Sequence, residues 1–295
     1  MKKKQSNELV SVIIPTYNSQ ELIADCLESL KKQTYKHIEI IVVDSFSSDE
    51  TPKIAKKYAK VYSYGRDPKQ KNIFAVPHQR NYGMNKGRGA FLYYIDSDMR
   101  LRQNVIETCV DLIKKEQADG VIIPEEARGE GFWARCRSLE KACYNASPQS
   151  YTDSARFIKR EVWHNLGGLD ASLGGGDDWD FQHRFYMHKY KTVKSTVHVI
   201  HYDGNLKLSK ILRKEFVYGK NTLSYFKKYS KDKKYLFKQY SFLRKDFLLN
   251  LDKLVKDPVH AVGLFLMKTI EYMAVATGII YSIFIKENVK IHGKS

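Results

Sequence analysis

The sequence predicts a layered α/β domain on a mostly parallel sheet, followed by a basic helical segment and an apolar one. Three observations predict it. Short apolar runs alternate with helix-spaced segments from residue 9 to residue 64, the pattern of βαβ units with right-handed crossovers. The run 90–95 is aromatic and β-branched, reads as a strand buried on both faces, and stops in Asp96 and Asp98. The composition then shifts: residues 207–256 hold fifteen Lys or Arg against four acids, with ten aromatics, so much of the net charge of +17 lies there. A chain of 295 residues with 43% hydrophobic content can bury a full core.

The elements follow in order. Residues 9–14 form the first strand and Pro15-Thr16-Tyr17-Asn18 the turn at its carboxyl end. Asn18 with Glu21 three residues on reads as a helix cap, leading into Ile23, Cys26, Leu27 and Leu30 at helical spacing. A second strand, 38–43, ends in Asp44, a helix spans 51–60, and 61–64 is an edge strand. The connection 65–88 carries Arg80, Asn81, Gly83 and Gly87 and reads as a helix with a loose start. It contains no GxxxxGK[ST] loop, and no GxGxxG follows the first strand, so neither a P-loop nor a dinucleotide fingerprint is present.

Asp96-Ser97-Asp98 therefore ends the central strand at the rim where ligands collect in open α/β sheets. Asp and Ser are ordinary turn formers, which is the plain reading. Two carboxylates at alternate positions can also converge on one hard cation. Further on come a helix over 103–117, a strand over 120–123 and Gly129-Glu130-Gly131-Phe132-Trp133, opening a helix to Asn145. Trp133 is a large aromatic at the start of that helix, and Arg156 precedes the strand 157–159. Gly174-Gly175-Gly176 brings a turn up to Asp177-Asp178 at the start of a helix over 179–188. One acid suffices as a cap, so the doublet suggests a positioned general base. Residues 192–202 alternate as a strand carrying His198 and His201.

Val12-Ile13-Ile14-Pro15-Thr16-Tyr17-Asn18, Val42-Val43-Asp44 with Ser47 to Thr51, Arg80-Asn81-x-Gly83 and Ile95-Asp96-Ser97-Asp98 resemble, in order and spacing, the family 2 inverting glycosyltransferases of GT-A fold. The resemblance covers about the first two hundred residues. It implies a nucleotide-sugar donor, with Pro15, Thr16, Tyr17 and Asp44 at the base and ribose, and Arg80, Asp96, Ser97, Asp98 and Arg156 toward the diphosphate. It also implies Mn2+ or Mg2+ on Asp98, Asp96 and His201. Hard carboxylate oxygens suit either ion, which would stabilise the charge developing on a leaving diphosphate. The glycine, acid, Asp, Trp, Asp segment of these enzymes puts the general base on Asp178. Asp177 stands where Glu is usual, which leaves the division of labour between the two open. Trp133 and Trp179 are the acceptor-site candidates. No Gln-x-x-Arg-Trp motif of processive synthases is present, so one sugar per encounter is expected.

The expected domains are 1–205 catalytic, 206–257 basic and amphipathic, and 258–286 apolar. The apolar stretch is interrupted by His260, Lys268 and Glu271, and its cleanest run, 272–285, is shorter than the roughly 20 residues that span a bilayer. A helix or hairpin lying in the cytoplasmic interface is favoured over a span, with Lys268 and Glu271 one turn apart and able to pair. A basic, apolar tail suits an anionic membrane surface and a lipid-linked acceptor, with a homodimer through the apolar helix also open. The acid doublet favours a hydroxyl on a glycolipid or lipid-linked oligosaccharide over a polyprenyl phosphate, which is already ionised. The alternative within the enzymes is a polyprenyl-phosphate sugar synthase. The alternative outside them is a nucleic-acid-binding protein using the tail, although no nucleic acid is expected. Cysteines 26, 109, 136 and 143 form no CxxC pair, and the first apolar run is too short for a signal-peptide core, so reduced thiols and a location at the cytoplasmic face of the cell membrane are expected.

Overall fold

The computed structural model describes residues 8–65, 75–147, 154–241 and 244–292. The first half runs β1 (Val10–Thr16), α1 (Ile23–Lys31), β2 (Ile38–Asp44), α2 (Thr51–Ala55), β3 (Lys60–Ser63), α3 (Ala75–Lys86), β4 (Phe91–Tyr94), β5 (Met99–Leu101), α4 (Val105–Glu116), β6 (Gly120–Ile122) and β7 (Glu125–Glu130). It continues through α5 (Phe132–Ala146), β8 (Ala155–Lys159), α6 (Arg160–Leu166), α7 (Asp177–Met187), β9 (Thr192–Lys194) and β10 (Val199–Asn205). The helices α8 (Leu208–Lys228), α9 (Lys233–Tyr240), α10 (Lys245–Leu249), α11 (Leu251–Lys256) and α12 (Pro258–His292) complete it.

Seven strands form one sheet in the order β3-β2-β1-β4-β8-β6-β9, and β5-β10-β7 form a second. β1 pairs in parallel with β2 and β4, and Thr16 lies opposite Asp44. β8 runs antiparallel to both β4 and β6. Side chains on successive strand residues point to opposite faces. Phe91 and Tyr93 accordingly join Val12, Ile14 and Val42 in one apolar layer, while Leu92 and Tyr94 join Ile13, Val43, Trp163 and Phe181 in the other. Gly83 lets α3 close onto the sheet, because a Cβ there would come within 2.6 Å of Ile13 and 2.9 Å of Val43. The chain divides into two compact units. The first comprises Met1–Glu126, Asp153–Ala171 and Asp178–Tyr202, and the second Ala127–Thr152, Ser172–Asp177 and Asp203–Ser295.

Three sequence expectations are corrected. Asn18 is not a cap: its φ is 46°, its Oδ1 accepts from Ser48 N–H at 2.9 Å, and α1 starts at Ile23 after a turn on the Ser19 carbonyl. The polar side chain is used between two loops, so it is lost to the helix. The helix expected over 51–60 ends at Ala55, and Lys60 already belongs to β3. The strand expected over 192–202 is two strands in different sheets, β9 and β10, separated by a turn in which Ser195 Oγ accepts from Val197 N–H at 3.0 Å. β7 falls in a stretch where no strand was expected.

In the second unit, α12 packs along α8 and α5 around Cys136, Cys143, Tyr144, Ile211, Phe247, Leu264 and Met267. The expected pairing within α12 is present: Lys268 Nζ lies 2.8 Å from Glu271 and 2.9 Å from Glu140. In the basic segment Ile211, Phe247 and Leu254 are buried, whereas Leu212 and Leu251 are exposed.

Candidate active site

The carboxyl ends of β1 and β2 meet in a buried polar knot. Thr16 Oγ1 donates to Asp44 Oδ1 at 2.9 Å, and Ser47 donates its N–H to Oδ2 at 2.8 Å and its hydroxyl to Oδ1 at 2.6 Å. Gln79 ties the two strand ends from α3 by donating to the carbonyls of Thr16 and Val43. Pro15 is buried within β1, whereas Tyr17 is 55% exposed and Phe46, at φ 55°, is 48% exposed. The knot is thus followed on each strand by an exposed ring within two residues. Ser97 Oγ lies 3.1 Å from Ser19 Oγ on the same rim.

The strand β4 delivers the charged centre. Period two puts Tyr94 and Asp96 on one face. Arg80, 5% exposed, reaches from α3 with one guanidinium nitrogen 2.6 Å from Asp96 Oδ1 and the other 3.2 Å from Asp178 Oδ1. Arg156, on β8 beside β4, lies 3.3 Å from Asp96, 3.1 Å from Glu125 and 3.6 Å from Asp178. Both guanidiniums sit over the Tyr94 ring, at 4.7 and 5.7 Å, and the Tyr94 hydroxyl donates to Asp178 Oδ1 at 2.9 Å. Burial would raise the Asp96 pKa, but Arg80 and Arg156 outweigh it and hold the carboxyl well below the usual range. Burial and the Asp178 charge keep the Tyr94 phenol protonated, and therefore a donor.

The small sheet adds the last corner. β10 runs antiparallel to β5, so His201 stands opposite Met99 and next to Asp98. Its Nε2 lies 3.3 Å from Asp98 Oδ2 and its Nδ1 3.3 Å from Glu125 Oε2. Burial opposes protonation of this imidazole, yet the hydrogen bonds to Asp98 and Glu125 prevail and push its pKa up to about 10. The other Asp98 oxygen is buried and has no hydrogen-bond partner among the described residues. An orphaned hard oxygen fits a divalent cation, and His201 would join it as a ligand on giving up the proton it shares with Asp98. Asp96, expected as a further ligand, instead points its oxygens at the two arginines. Among the described residues no group of three or more His, Cys, Asp or Glu side chains is arranged to enclose a metal ion, so ligand oxygens would have to supply the rest of a shell.

The acids on α7 separate by surroundings. Asp180 is fully buried and pairs with Arg184 at 2.8 Å, and Arg184 also donates to the Leu166 and Gly168 carbonyls. That is a structural tie. Asp178, with a side chain 27% exposed, faces the arginines, whereas Asp177 is 6% exposed and belongs to the second unit. Asn81 clamps the turn before this helix, donating to the Leu169 carbonyl at 2.8 Å and accepting from its N–H at 2.9 Å. Trp179 is half-buried on α7; Trp133 is half-buried in the second unit, edge-on to Phe132. His198 is outside the cluster, its pKa lowered by burial. Sequence reasoning missed Tyr94, whose shared face with Asp96 was a usable signal, and Glu125, for which no local signal existed.

A sheet in this strand order, with acids gathered at the carboxyl ends of its central strands, is the GT-A fold. Residues 11–168 match the model of glycosyl transferase family 2, and the chain belongs to that family. The glycosyltransferase GlyG of Streptococcus pneumoniae serotype 4 is 34% identical over 116 residues, 39% of this chain and 38% of that protein. The chain thus spans well under half the length of this curated relative. Among solved structures, the mannosyltransferase PcManGT from Pyrobaculum calidifontis in complex with GDP-Man and Mn2+ aligns with TM-score 0.62 and 18% identity, covering 95% of this chain and 88% of that one. Staphylococcus aureus TarS 1–349 in complex with UDP-GlcNAc aligns with TM-score 0.54 and 18% identity, covering 96% and 92%. At such identity the likeness is one of fold.

Proposed function

We propose that this glycosyltransferase moves a hexose from a UDP- or GDP-sugar to a hydroxyl of a lipid-linked acceptor, a glycolipid or lipid-linked oligosaccharide, with inversion and one sugar per encounter. The observation that carries the reading is Asp178, a part-exposed carboxylate held in one cluster with two arginines and, through Glu125, with the Asp98–His201 pair. The donors in the two structural neighbours, GDP-Man and UDP-GlcNAc, are of the chemical class this cluster suits.

In this reading the Thr16–Asp44–Ser47 knot takes the ribose and base, with the Tyr17 ring against the base. Arg80 and Arg156 neutralise the diphosphate, and a guanidinium fork matches phosphate oxygens well. Asp98 and His201 would hold Mn2+ or Mg2+, which when bound stabilises charge on the leaving diphosphate. Asp178 takes the proton of the acceptor hydroxyl as its oxygen attacks the anomeric carbon. A single displacement with one base inverts the centre and needs no enzyme nucleophile.

Membrane association is supported by α12. Val259, Val262, Leu266, Met273, Ile280 and Phe284 are exposed on it, and among the described residues no charged side chain is exposed between Pro258 and Phe284. Its ions, Lys268 and Glu271, are turned inward onto Arg137 and Glu140. The helix is apolar outside and ionic inside, the reverse of an ordinary surface helix, and the uncharged stripe runs about 40 Å. With Lys253 and Lys256 near its start, this suits the cytoplasmic face of an anionic bilayer. A membrane-bound enzyme meets a lipid-anchored acceptor at raised effective concentration.

Turnover of UDP-Glc, UDP-GlcNAc and GDP-Man with Mn2+, by wild type and Asp178→Asn, tests the catalytic reading. No release of nucleotide from any donor by wild type would sink it. Retention of full activity by Asp178→Asn on a polyprenyl phosphate would favour the sugar-phosphate synthase instead, because an ionised acceptor needs no base.

A further inference from the structure

Asp178 is held by two hydrogen-bond donors and an ion pair. Tyr94 donates to Oδ1 at 2.9 Å, Arg80 lies 3.2 Å from the same oxygen and 3.5 Å from Oδ2, and Arg156 pairs with Oδ2 at 3.6 Å. Oδ1 thus already accepts two hydrogen bonds, and an acceptor hydroxyl approaching Oδ2 competes with the Arg156 ion pair. The three partners differ in how firmly they are fixed. Arg80 is anchored by its 2.6 Å bond to Asp96 and is almost wholly buried. Tyr94 is buried in β4. Arg156 is more exposed than Arg80, and its contacts with Glu125, Asp96 and Asp178, at 3.1, 3.3 and 3.6 Å, are spread over three carboxylates. Spread contacts of this length are weaker than one bidentate pairing, and a diphosphate offers the guanidinium both more charge and the fork geometry.

We propose that Arg156 exchanges Asp178 for the donor's diphosphate, so that donor binding releases the base, and that Tyr94 is the positioning residue that keeps the released carboxylate aimed. This rests on Asp178 being the base. The Tyr94 ring stays under both guanidiniums in either arrangement, and its hydroxyl, fixed by the strand, follows Asp178 rather than the arginine. A hydroxyl that arrives before the donor meets a carboxylate still paired with Arg156. Linkage makes the competition measurable: whatever Asp178 contributes to holding Arg156 is withheld from the diphosphate.

The experiment is calorimetric titration of UDP and of GDP, each with Mn2+, into wild type, Asp178→Asn, Arg156→Gln and the double variant. Asp178→Asn is expected to bind the accepted nucleoside diphosphate about tenfold more tightly, with the gain absent in the Arg156→Gln background. No gain, or an equal gain without Arg156, overturns the exchange, the latter showing only a general field effect. For Tyr94→Phe, hydrolysis of the sugar nucleotide is expected to slow about tenfold in kcat with KM and nucleoside-diphosphate affinity unchanged. An unchanged kcat, or kcat and affinity falling together with the melting temperature, overturns the positioning role. A wild type that binds neither UDP nor GDP overturns the functional reading and this one with it.

Discussion

Each unit contains a cluster of arginine, carboxylate and a second cation, and the two are arranged oppositely. In the second unit Arg137, Lys268, Glu140 and Glu271 close on one another, with both Lys268 contacts and the Arg137–Glu140 contact at 2.6 to 2.9 Å. The carboxylates there are the most buried members, at 3% and 7% side-chain exposure. In the first unit an arginine is the most buried member, at 7%, and Asp96, Asp178 and Asp98 are 25 to 33% exposed. The arginine ion pairs beyond the Arg80–Asp96 bond lengthen to between 3.1 and 3.6 Å, and among the described residues one Asp98 oxygen has no hydrogen-bond partner. A cluster whose charges are matched and sealed holds a structure together. One whose acids face outward and whose bonds are long can trade partners with a ligand.

The comparison breaks first on Asp178. Asp178→Asn should lower kcat for sugar transfer by about a hundredfold to ten-thousandfold while the melting temperature holds; an active variant would place the base elsewhere. Chelation with EDTA, or Asp98→Ala, should cost turnover by orders of magnitude without unfolding the chain, read by nucleotide release alongside circular dichroism. The opposite outcome is expected for the sealed cluster. Glu140→Gln leaves Arg137 and Lys268 under-compensated and should cost about 3–5 kcal/mol in urea unfolding, with turnover per folded molecule unchanged.

Acid sharpens the same contrast. Burial would raise the Glu140 pKa, but Lys268 and Arg137 hold it well below its ordinary 4.5. Because the folded value is the lower one, its stabilisation is complete above about 4.5 and disappears as pH falls below that. The urea midpoint of wild type should drop over this range, and that of Glu140→Gln should drop less. The smallest effect expected is at the membrane. Val262→Lys with Ile280→Lys should weaken co-sedimentation with phosphatidylglycerol vesicles several-fold and leave nucleotide affinity alone; unchanged sedimentation would remove α12 from the membrane reading.

Much of the rim was legible along the chain. Asp44, Asp96 and Asp98 follow apolar runs that can only be buried strands, and a carboxylate immediately after such a run must lie at the sheet's edge. The glycines before Asp178 marked a turn that delivers an acid. Asn18 misled because its side chain had two possible uses, a helix end and a neighbouring loop, and local spacing describes only the first. Residues 192–202 misled because alternation tells which face a side chain takes and not which sheet its strand joins.

By itself the sequence determined the class of fold, the parallel first half, the placement of Asp44, Asp96 and Asp98 at strand ends, and the apolar character of the last segment, since burial pattern and composition are local properties. Only the tertiary structure decided that β8 enters antiparallel between β4 and β6, carrying Arg156 to Asp96. It alone decided that β10 brings His201 to Asp98 and Glu125, that Tyr94 reaches Asp178, and that α12 turns its ions inward. The residues in several of these contacts stand sixty to more than one hundred positions apart. What joins them is strand order and register, which depend on how whole apolar faces cover one another and leave no mark at the polar residues they bring together.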